Sequence, residues 1–130
     1  MPSFGTESLA RLSTCDERLQ KVLKELIKYF DIKILEGHRG KELQDKAFAE
    51  GKSKLKFPQS KHNSNPSKAV DIVPWPLDWK DRERFFYMAG VAIGIGASMG
   101  IKLRWGGCWA MDNNFKANKF DDLPHLEVID

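Results

Sequence analysis

Residues 69–73, with the sequence AVDIV, are the stretch that decides the fold of this chain. They are apolar and mostly β-branched, and prolines follow them closely, so they predict a strand that stops at Pro74. Successive side chains of a strand point to opposite faces. Val70 and Ile72 therefore share the core face, and Asp71 points away from the apolar layer toward a functional face.

The end of the chain repeats this alternation. Residues 126–129 (LEVI) predict a final strand, which follows a loop predicted over residues 106–124. His125 and Glu127 then share the face opposite the apolar side chains of that strand. If the two strands are neighbours, they bring Asp71 and His125 together.

The remaining elements are helices and short strands. Thr14 followed by Glu17 is a capping-box pattern, which begins the clearest helix after a polar lead-in over residues 1–13. The other predicted elements are a strand at 31–36, a helix at 41–50, a helix that begins between residues 78 and 81, and a strand at 102–105. Short strands with flanking helices and long loops indicate one α+β domain over residues 1–130, built on a small antiparallel sheet.

The composition is that of a soluble globular protein. Of the 130 residues, 42% are hydrophobic and 30% are charged, which argues against disorder, and a net charge of +3 favours anionic partners only weakly. Cys15 and Cys108 lie far apart and do not form a disulfide framework. The N-terminus lacks the basic and apolar regions of a signal peptide, and residues 88–101 are too short to span a bilayer. We expect a monomer that is made in the cytoplasm and does not insert into membranes.

Two histidines and two carboxylates carry the strongest chemical signal. His62 lies in a long loop without periodicity at residues 52–68, a kind of loop that is often functional. With Asp71 and His125 it would supply three protein ligands for zinc and leave a fourth position for water. Asp122, three residues before His125, could then serve as a general base. No compact HExxH-type motif is present, so spacing alone leaves ordinary surface or capping roles as an alternative.

Several ordered blocks add specificity to this signal. They are GHR at 37–39, SKH at 60–62, AVD at 69–71, RWGGCW at 104–109 and DLPH at 122–125. With these blocks the chain resembles the zinc peptidases that cleave D-amino-acid-containing bonds in bacterial cell walls. That family joins D-alanyl-D-alanine carboxypeptidases and dipeptidases with L-alanyl-D-glutamate endopeptidases, and it includes many phage endolysins. The resemblance extends from about Thr14 to Val128.

The resemblance implies a hedgehog or DD-peptidase-like fold with the zinc site at the sheet face. One zinc ion per chain would be bound by His62, Asp71 and His125. Asp122 would be the general base, and Arg39 would hold the substrate carbonyl and stabilise the charge that develops on its oxygen.

Further roles and alternatives follow from the same resemblance. Substrate would contact Ser60 and a wall made by Trp105 and Gly106, although core packing is an alternative for the tryptophan. Asp121 and Glu127 are rival acids, and Glu127 could instead support the ligand His125.

Two features depart from the family pattern. Eight residues separate His62 from Asp71, where many relatives have six. Cys108 stands where relatives often carry Asp, so a metal role for its thiol stays open.

The function implied is that of a zinc-dependent peptidoglycan peptidase, an L-alanyl-D-glutamate endopeptidase acting as a phage endolysin. Such an enzyme would be made in the host cytoplasm and would reach the cell wall at lysis. A D-alanyl-D-alanine carboxypeptidase or dipeptidase and a non-catalytic zinc-binding module are the alternatives. A small metal nuclease, suggested by residues 61–63 (KHN) and the basic balance, is a third and least favoured interpretation, and it predicts nucleic-acid binding with strong salt dependence.

Overall fold

The computed structural model describes residues 2–130 and shows an α+β architecture around a four-stranded antiparallel sheet. The helices are α1 (Thr6–Leu12), α2 (Glu17–Leu26), α3 (Lys41–Ala49) and α4 (Arg82–Ser98), with short 3-10 turns at Lys61–Asn63 and Phe115–Ala117. The strands are β1 (Ile32–Glu36), β2 (Ala69–Pro74), β3 (Leu103–Gly106) and β4 (Asp122–Val128). Their order across the sheet is β1-β2-β4-β3, so β2 and β4 lie at the centre. The predicted fold class is confirmed.

The core lies between one face of the sheet and the helices α2 and α4. Val70 and Ile72 are fully buried there, beside α4 side chains such as Phe85, whereas Asp71 is only partly buried. Each buried aliphatic or aromatic side chain contributes roughly 1.5–3 kcal/mol relative to an exposed one. The alternation read from the sequence therefore assigns the two faces of β2 correctly. Among the described residues, none of the helices combines the length and the apolar character needed to cross a membrane.

The expected polar lead-in instead contains the helix α1, which covers the outer edge of β1. Ser8 Oγ accepts a hydrogen bond from the Ile34 N–H at 3.1 Å, and Arg11 Nη1 donates to the Ile34 carbonyl at 3.0 Å. Leu12 is buried against the core at the end of the same helix. An edge strand leaves backbone groups unpaired, and α1 satisfies them with side chains. Sequence periodicity does not reveal such a helix because it is only seven residues long.

The predicted capping box of α2 is wrong. Asp16 is the N-cap and accepts from the Arg18 N–H at 2.9 Å. Thr14 is used elsewhere: its Oγ1 donates to the Arg11 carbonyl at 2.7 Å and accepts from the His38 N–H at 2.9 Å. The Thr14 hydroxyl therefore does not cap α2, and its bond to His38 instead fixes the segment that follows β1.

Strand β4 begins four residues earlier than predicted, because Pro124 does not interrupt it. Its pairing with β2 begins at His125, and its pairing with β3 is irregular between Asp122 and Leu126. Proline lacks an N–H, so it is tolerated where the ladder needs no donor from it. Asp122 and His125 consequently lie on one continuous strand.

Candidate metal centre

Strand pairing brings the three predicted ligands together. Asp71 on β2 is the direct partner of His125 on β4. Asp71 Oδ1 lies 3.6 Å from His125 Nδ1 and 3.2 Å from His62 Nε2. One ligand atom from each of the three residues falls within 4.8 Å of the others, a spacing that a single metal ion can bridge.

His62 reaches this position on the 3-10 turn after Ser60. Ser60 Oγ accepts from the His62 N–H at 3.2 Å, and Asn63 Oδ1 accepts from the Ser60 N–H at 3.0 Å. This reciprocal cap fixes the start of the turn. The eight-residue spacing to Asp71 therefore does not keep His62 from the cluster.

Hydrogen bonds to the outer nitrogens orient both imidazoles. His62 Nδ1 donates to the Gly37 carbonyl at 2.8 Å, and His125 Nε2 donates to Glu127 Oε1 at 2.7 Å. Because each of these nitrogens is engaged as a donor, His62 Nε2 and His125 Nδ1, which face Asp71, are the nitrogens left to bind a metal ion. Metal-binding histidines are characteristically held this way by a carbonyl or a carboxylate. The donor set of two imidazoles and one carboxylate thus fits a divalent metal ion.

The electrostatics of the cluster favour a cation. Burial opposes ionisation of Asp71, but hydrogen bonds from His125 and His62 outweigh it and hold the pKa of its carboxyl well below the usual range. Burial likewise opposes protonation of His125, but Asp71 and Glu127 together raise its pKa to about 9. Protons and metal ions compete for the same imidazole lone pair. A site that holds a proton this strongly has excess negative charge, which a metal ion can also neutralise.

Asp122 differs from the other acids near the cluster. Its Oδ2 lies 3.9 Å from His125 Nδ1, and burial together with the charge of Asp71 raises the pKa of its carboxyl. The rival Asp121 is engaged at the surface, where hydrogen bonds from Asn118 and from Arg82 Nη2, 2.7 Å from its Oδ2, lower the pKa of its carboxyl. Asp122 is therefore the better placed of the two neighbours to exchange a proton.

Both carboxylate oxygens of Glu127 accept hydrogen bonds from neighbouring side chains. Its Oε1 accepts from His125, and its Oε2 accepts from Arg104 Nη2 at 2.8 Å. Burial acts against its ionisation, but these partners outweigh it and lower its pKa to about 2. A carboxylate engaged on both oxygens is a poor proton acceptor and a good support for a ligand.

Arg39 lies at the edge of the cluster with a fixed orientation. Its Nη2 is 3.7 Å from Asp71 Oδ2, its Nε donates to Glu36 Oε1 at 2.9 Å, and its Nη1 donates to Gln44 Oε1 at 2.9 Å. The Arg39 N–H also donates to the His62 carbonyl at 2.8 Å, which ties the two segments together. Only 13% of its side chain is exposed, so the guanidinium is preorganised rather than free in solvent.

The three candidate ligands open into a cleft of about 770 Å³. Its lining includes Arg39, Ser60, Asp122 and the three ligand residues. Trp109 also lines it, with its ring centroid 5.0 Å from that of His125. No role was predicted for Trp109 from the sequence, although it belongs to the GGCW block at residues 106–109, which is the signal that could have indicated one.

Trp105 and Gly106 do not line this cleft. Trp105 is 3% exposed and packs edge-on against Phe86 at 4.8 Å, while its Nε1 donates to the Leu123 carbonyl at 2.7 Å. A Cβ at Gly106 would lie 2.0 Å from the Asp122 carbonyl oxygen. Both residues therefore hold β3 against the start of β4, and the core-packing alternative for Trp105 describes its position.

The two cysteines and the third histidine lie outside the cluster. Cys15 and Cys108 are both free and buried. Cys108 Sγ lies 3.4 Å from Asp112 Oδ1, and the grouped ligand atoms do not include it. His38 Nδ1 contacts the Ser64 carbonyl at 2.9 Å instead.

Comparisons with known proteins identify the family. The model of the phage L-alanyl-D-glutamate peptidase family matches residues 2–129. The chain is 32% identical to the L-alanyl-D-glutamate peptidase of Escherichia phage T5, over 97% of each chain. It also shares its fold with the crystal structure of the Serratia marcescens L-Ala D-Glu endopeptidase ChiX, with a TM-score of 0.77 and 23% identity over 97% of this chain and 89% of that chain. This chain belongs to the phage L-alanyl-D-glutamate peptidase family.

Proposed function

We propose that this chain is a zinc-dependent peptidase that hydrolyses the bond between L-alanine and D-glutamate in peptidoglycan stem peptides. The observation that carries the proposal is the cluster of His62, Asp71 and His125 ligand atoms within 4.8 Å. Three protein ligands of this kind are typical of catalytic zinc sites that keep one position open. Family membership supports the choice of substrate bond.

One zinc ion would be held by His62 Nε2, an oxygen of Asp71 and His125 Nδ1. When bound, zinc lowers the pKa of a water ligand to roughly 7 and polarises a carbonyl group. Asp122 lies beside the cluster and acts as the general base. Its carboxylate accepts the proton that the attacking water loses and then donates it to the leaving nitrogen of D-glutamate. A raised pKa favours this double role, because the group must be able to hold the proton between the two steps.

The role assigned to Arg39 is to bind the substrate carbonyl group. Its guanidinium, fixed by Glu36 and Gln44, holds the substrate carbonyl and stabilises the negative charge that develops on the oxygen. Ser60 lies at the cleft wall, where its hydroxyl group forms a hydrogen bond with the bound peptide. Trp105 and Gly106 contribute by positioning Asp122, and the flat aromatic surface in the cleft is that of Trp109.

The biological role that fits this chemistry is that of a phage endolysin. The 130 residues would act as a single monomeric catalytic domain, made in the host cytoplasm and delivered to the cell wall at lysis. The partner is peptidoglycan, and neither nucleic acid nor a membrane is part of the reaction. The family, whose model is of phage peptidases, supports this setting.

Zinc stoichiometry combined with product analysis tests the proposal. We expect about one zinc ion per chain and, on purified peptidoglycan, stem peptides that carry a new free amine on D-glutamate. A chelator should abolish release, and added zinc should restore it. Release of free D-alanine without detachment of stem peptides would identify a carboxypeptidase instead. Zinc binding without any new amine would identify a non-catalytic module.

A further inference from the structure

The catalytic cleft contains a positive charge that the proposed chemistry does not use. Most cations in its wall are paired: Arg104 Nη2 lies 2.8 Å and Lys61 Nζ lies 3.3 Å from Glu127 Oε2, and Lys52 Nζ lies 3.2 Å from Glu50 Oε1. Lys54 also lines the cleft, but within residues 2–130 it forms no ion pair with a carboxylate. Its ammonium group is thus available to a ligand.

Lys54 extends across the cleft toward the wall that carries the metal ligands. Its Nζ lies 5.0 Å from the centroid of the Phe120 ring, which lines the cleft on the other loop. The Phe120 carbonyl accepts a hydrogen bond from Trp109 Nε1 at 2.7 Å, and the Trp109 ring lies against His125. The ammonium group of Lys54 is therefore placed at one end of the same wall that holds His125.

The residues on both sides of Lys54 are anchored to the side chain that orients Arg39. The fully buried Gln44 donates from Nε2 to the Leu55 carbonyl at 2.7 Å and to Ser53 Oγ at 3.0 Å. The Oε1 of the same side chain accepts from Arg39. The backbone of Lys54 therefore keeps a constant position relative to Arg39, while its flexible side chain can adapt to a ligand. Lys46, also unpaired in the described part of the chain, makes no such aromatic contact across the cleft.

The substrate offers carboxylates on the amine side of the scissile bond. The scissile nitrogen belongs to D-glutamate, whose chain continues through the γ-carboxyl group and leaves the α-carboxyl group free. The diamino acid that follows can carry another. Asp71 and Asp122 would repel these anions, and an unpaired cation in the same cleft offsets that repulsion without first breaking an ion pair.

We infer that Lys54 binds a carboxylate of the stem peptide on the amine side of the scissile bond. This inference rests on the function proposed above. Lys54 then acts as a specificity-determining residue, since a substrate with that carboxylate converted to an amide loses the charge that the ammonium group recognises.

Kinetics on three soluble disaccharide tripeptides test this inference. One substrate is unmodified, one is amidated at the D-glutamate α-carboxyl group, and one is amidated at the diamino acid carboxyl group. The zinc-loaded protein is compared with Lys54→Met, Lys54→Arg and the control Lys52→Met. Lys52 lies on the same loop and lines the same cleft, but it is paired with Glu50.

We expect Lys54→Met to lower kcat/KM about 3- to 10-fold on the unmodified substrate, the range of a partly exposed charge pair. On the substrate amidated at the recognised group, the same variant should differ less than about 2-fold from the parent protein. Lys54→Arg should keep most of the activity, and Lys52→Met should match the parent on all three substrates. The amidation that removes the effect of Lys54→Met identifies which carboxylate is bound.

Equal losses on all three substrates would overturn the inference, because they would show that Lys54 only holds the cleft wall through Phe120. Equal activity of Lys54→Met and the parent on all three would overturn it as well. Failure of the parent protein to cleave any of the substrates is a different result, which would refute the proposed function and this inference with it.

Discussion

Glu127 Oε1 lies 2.7 Å from His125 Nε2, and this contact determines which imidazole nitrogen faces Asp71. The two residues are on the same face of β4, two positions apart, so the bond is within one strand. The other carboxylate oxygen is held by Arg104 Nη2 at 2.8 Å. Arg104 and Glu127 thereby fix the orientation of His125, a candidate metal ligand.

Removing Glu127 should weaken zinc binding. We expect Glu127→Ala to reduce zinc affinity about 10- to 100-fold, the usual loss when the partner of a ligating histidine is removed. Glu127→Gln should lose less, because its amide oxygen can still accept from His125 Nε2. Competition with a chromophoric chelator measures both. The matched control is Asp121→Asn, which removes a surface carboxylate that faces Arg82. Unchanged affinity in Glu127→Ala would show that the bond does not orient the ligand.

Asp122→Asn should separate catalysis from metal binding. The asparagine fills the same space but cannot take a proton from water, so we expect a loss of about 10²- to 10⁴-fold in kcat with zinc still bound. Asp121→Asn, one position earlier on the chain, should retain near-parental activity because that side chain is paired with Arg82. The reverse ranking of the two variants, measured on peptidoglycan, would assign the base to Asp121.

Stability in the absence of metal should fall as pH rises toward 9. Asp71 and Glu127 raise the pKa of His125 from 6.5 to about 9, against the opposing effect of burial. A group whose pKa is raised on folding stabilises the protein fully below its unfolded value, and this contribution is lost as pH rises through the folded value. We therefore expect chelator-treated protein to have a lower Tm at about pH 9 than at about pH 6.5, by roughly 5 °C or more.

Zinc should remove this dependence, because the metal replaces the proton on His125. Thermal melts at the two pH values, with and without zinc, make the comparison. His125→Gln supplies the control, since it carries no titrating group at that position and its melting temperature should lack the decline. A chelator-treated parent protein whose Tm is the same at both pH values would contradict the raised pKa.

Gly106→Ala should disturb the start of β4. A Cβ there would lie 2.0 Å from the Asp122 carbonyl oxygen, a backbone atom that cannot move aside without shifting the strand. We expect a loss of about 1–3 kcal/mol in the free energy of unfolding, typical of overpacking, with a fall in kcat. Gly90→Ala is the matched control, because no atom outside the adjacent backbone of α4 lies within 4 Å of its Cβ position and alanine favours a helix. Denaturant melts measure the free energy of unfolding of both variants. Equal stability of Gly106→Ala and Gly90→Ala would contradict this account.

Cys15 should be inert to alkylation in the folded protein. Burial is the main cause that raises the pKa of its thiol to about 11, and 2% of the residue is exposed. Because the thiolate is the nucleophile, iodoacetamide at about pH 8 should leave Cys15 unmodified until denaturant is added. Mass spectrometry of digested protein gives the answer. Rapid labelling under native conditions would show that α1 opens away from the segment that follows it.

Features that depend on local geometry could be predicted from the sequence. The period of a strand is two residues, so the sequence itself assigned Val70 and Ile72 to the core and Asp71 to the opposite face. The same rule placed His125 and Glu127 on one face, and composition and element order gave the fold class. The helix α1 was not predicted because it is only seven residues long and is held by contacts with β1. The N-cap Asp16 was not predicted because the Thr14 hydroxyl, which the local pattern favoured, bonds to Arg11 and to the distant His38 instead.

Other features were decided only by the tertiary structure. The register that sets Asp71 opposite His125 joins residues 54 positions apart, and no local pattern specifies it. Trp105 and Trp109 belong to one sequence block, yet the packing of β3 on β4 buries the first and leaves the second in the cleft. Side-chain identity and alternation are properties of the local chain, and they fixed which groups could act. Which of those groups meet depends on how the strands pair and how the loops close over them, and that is set by the packing of the whole fold.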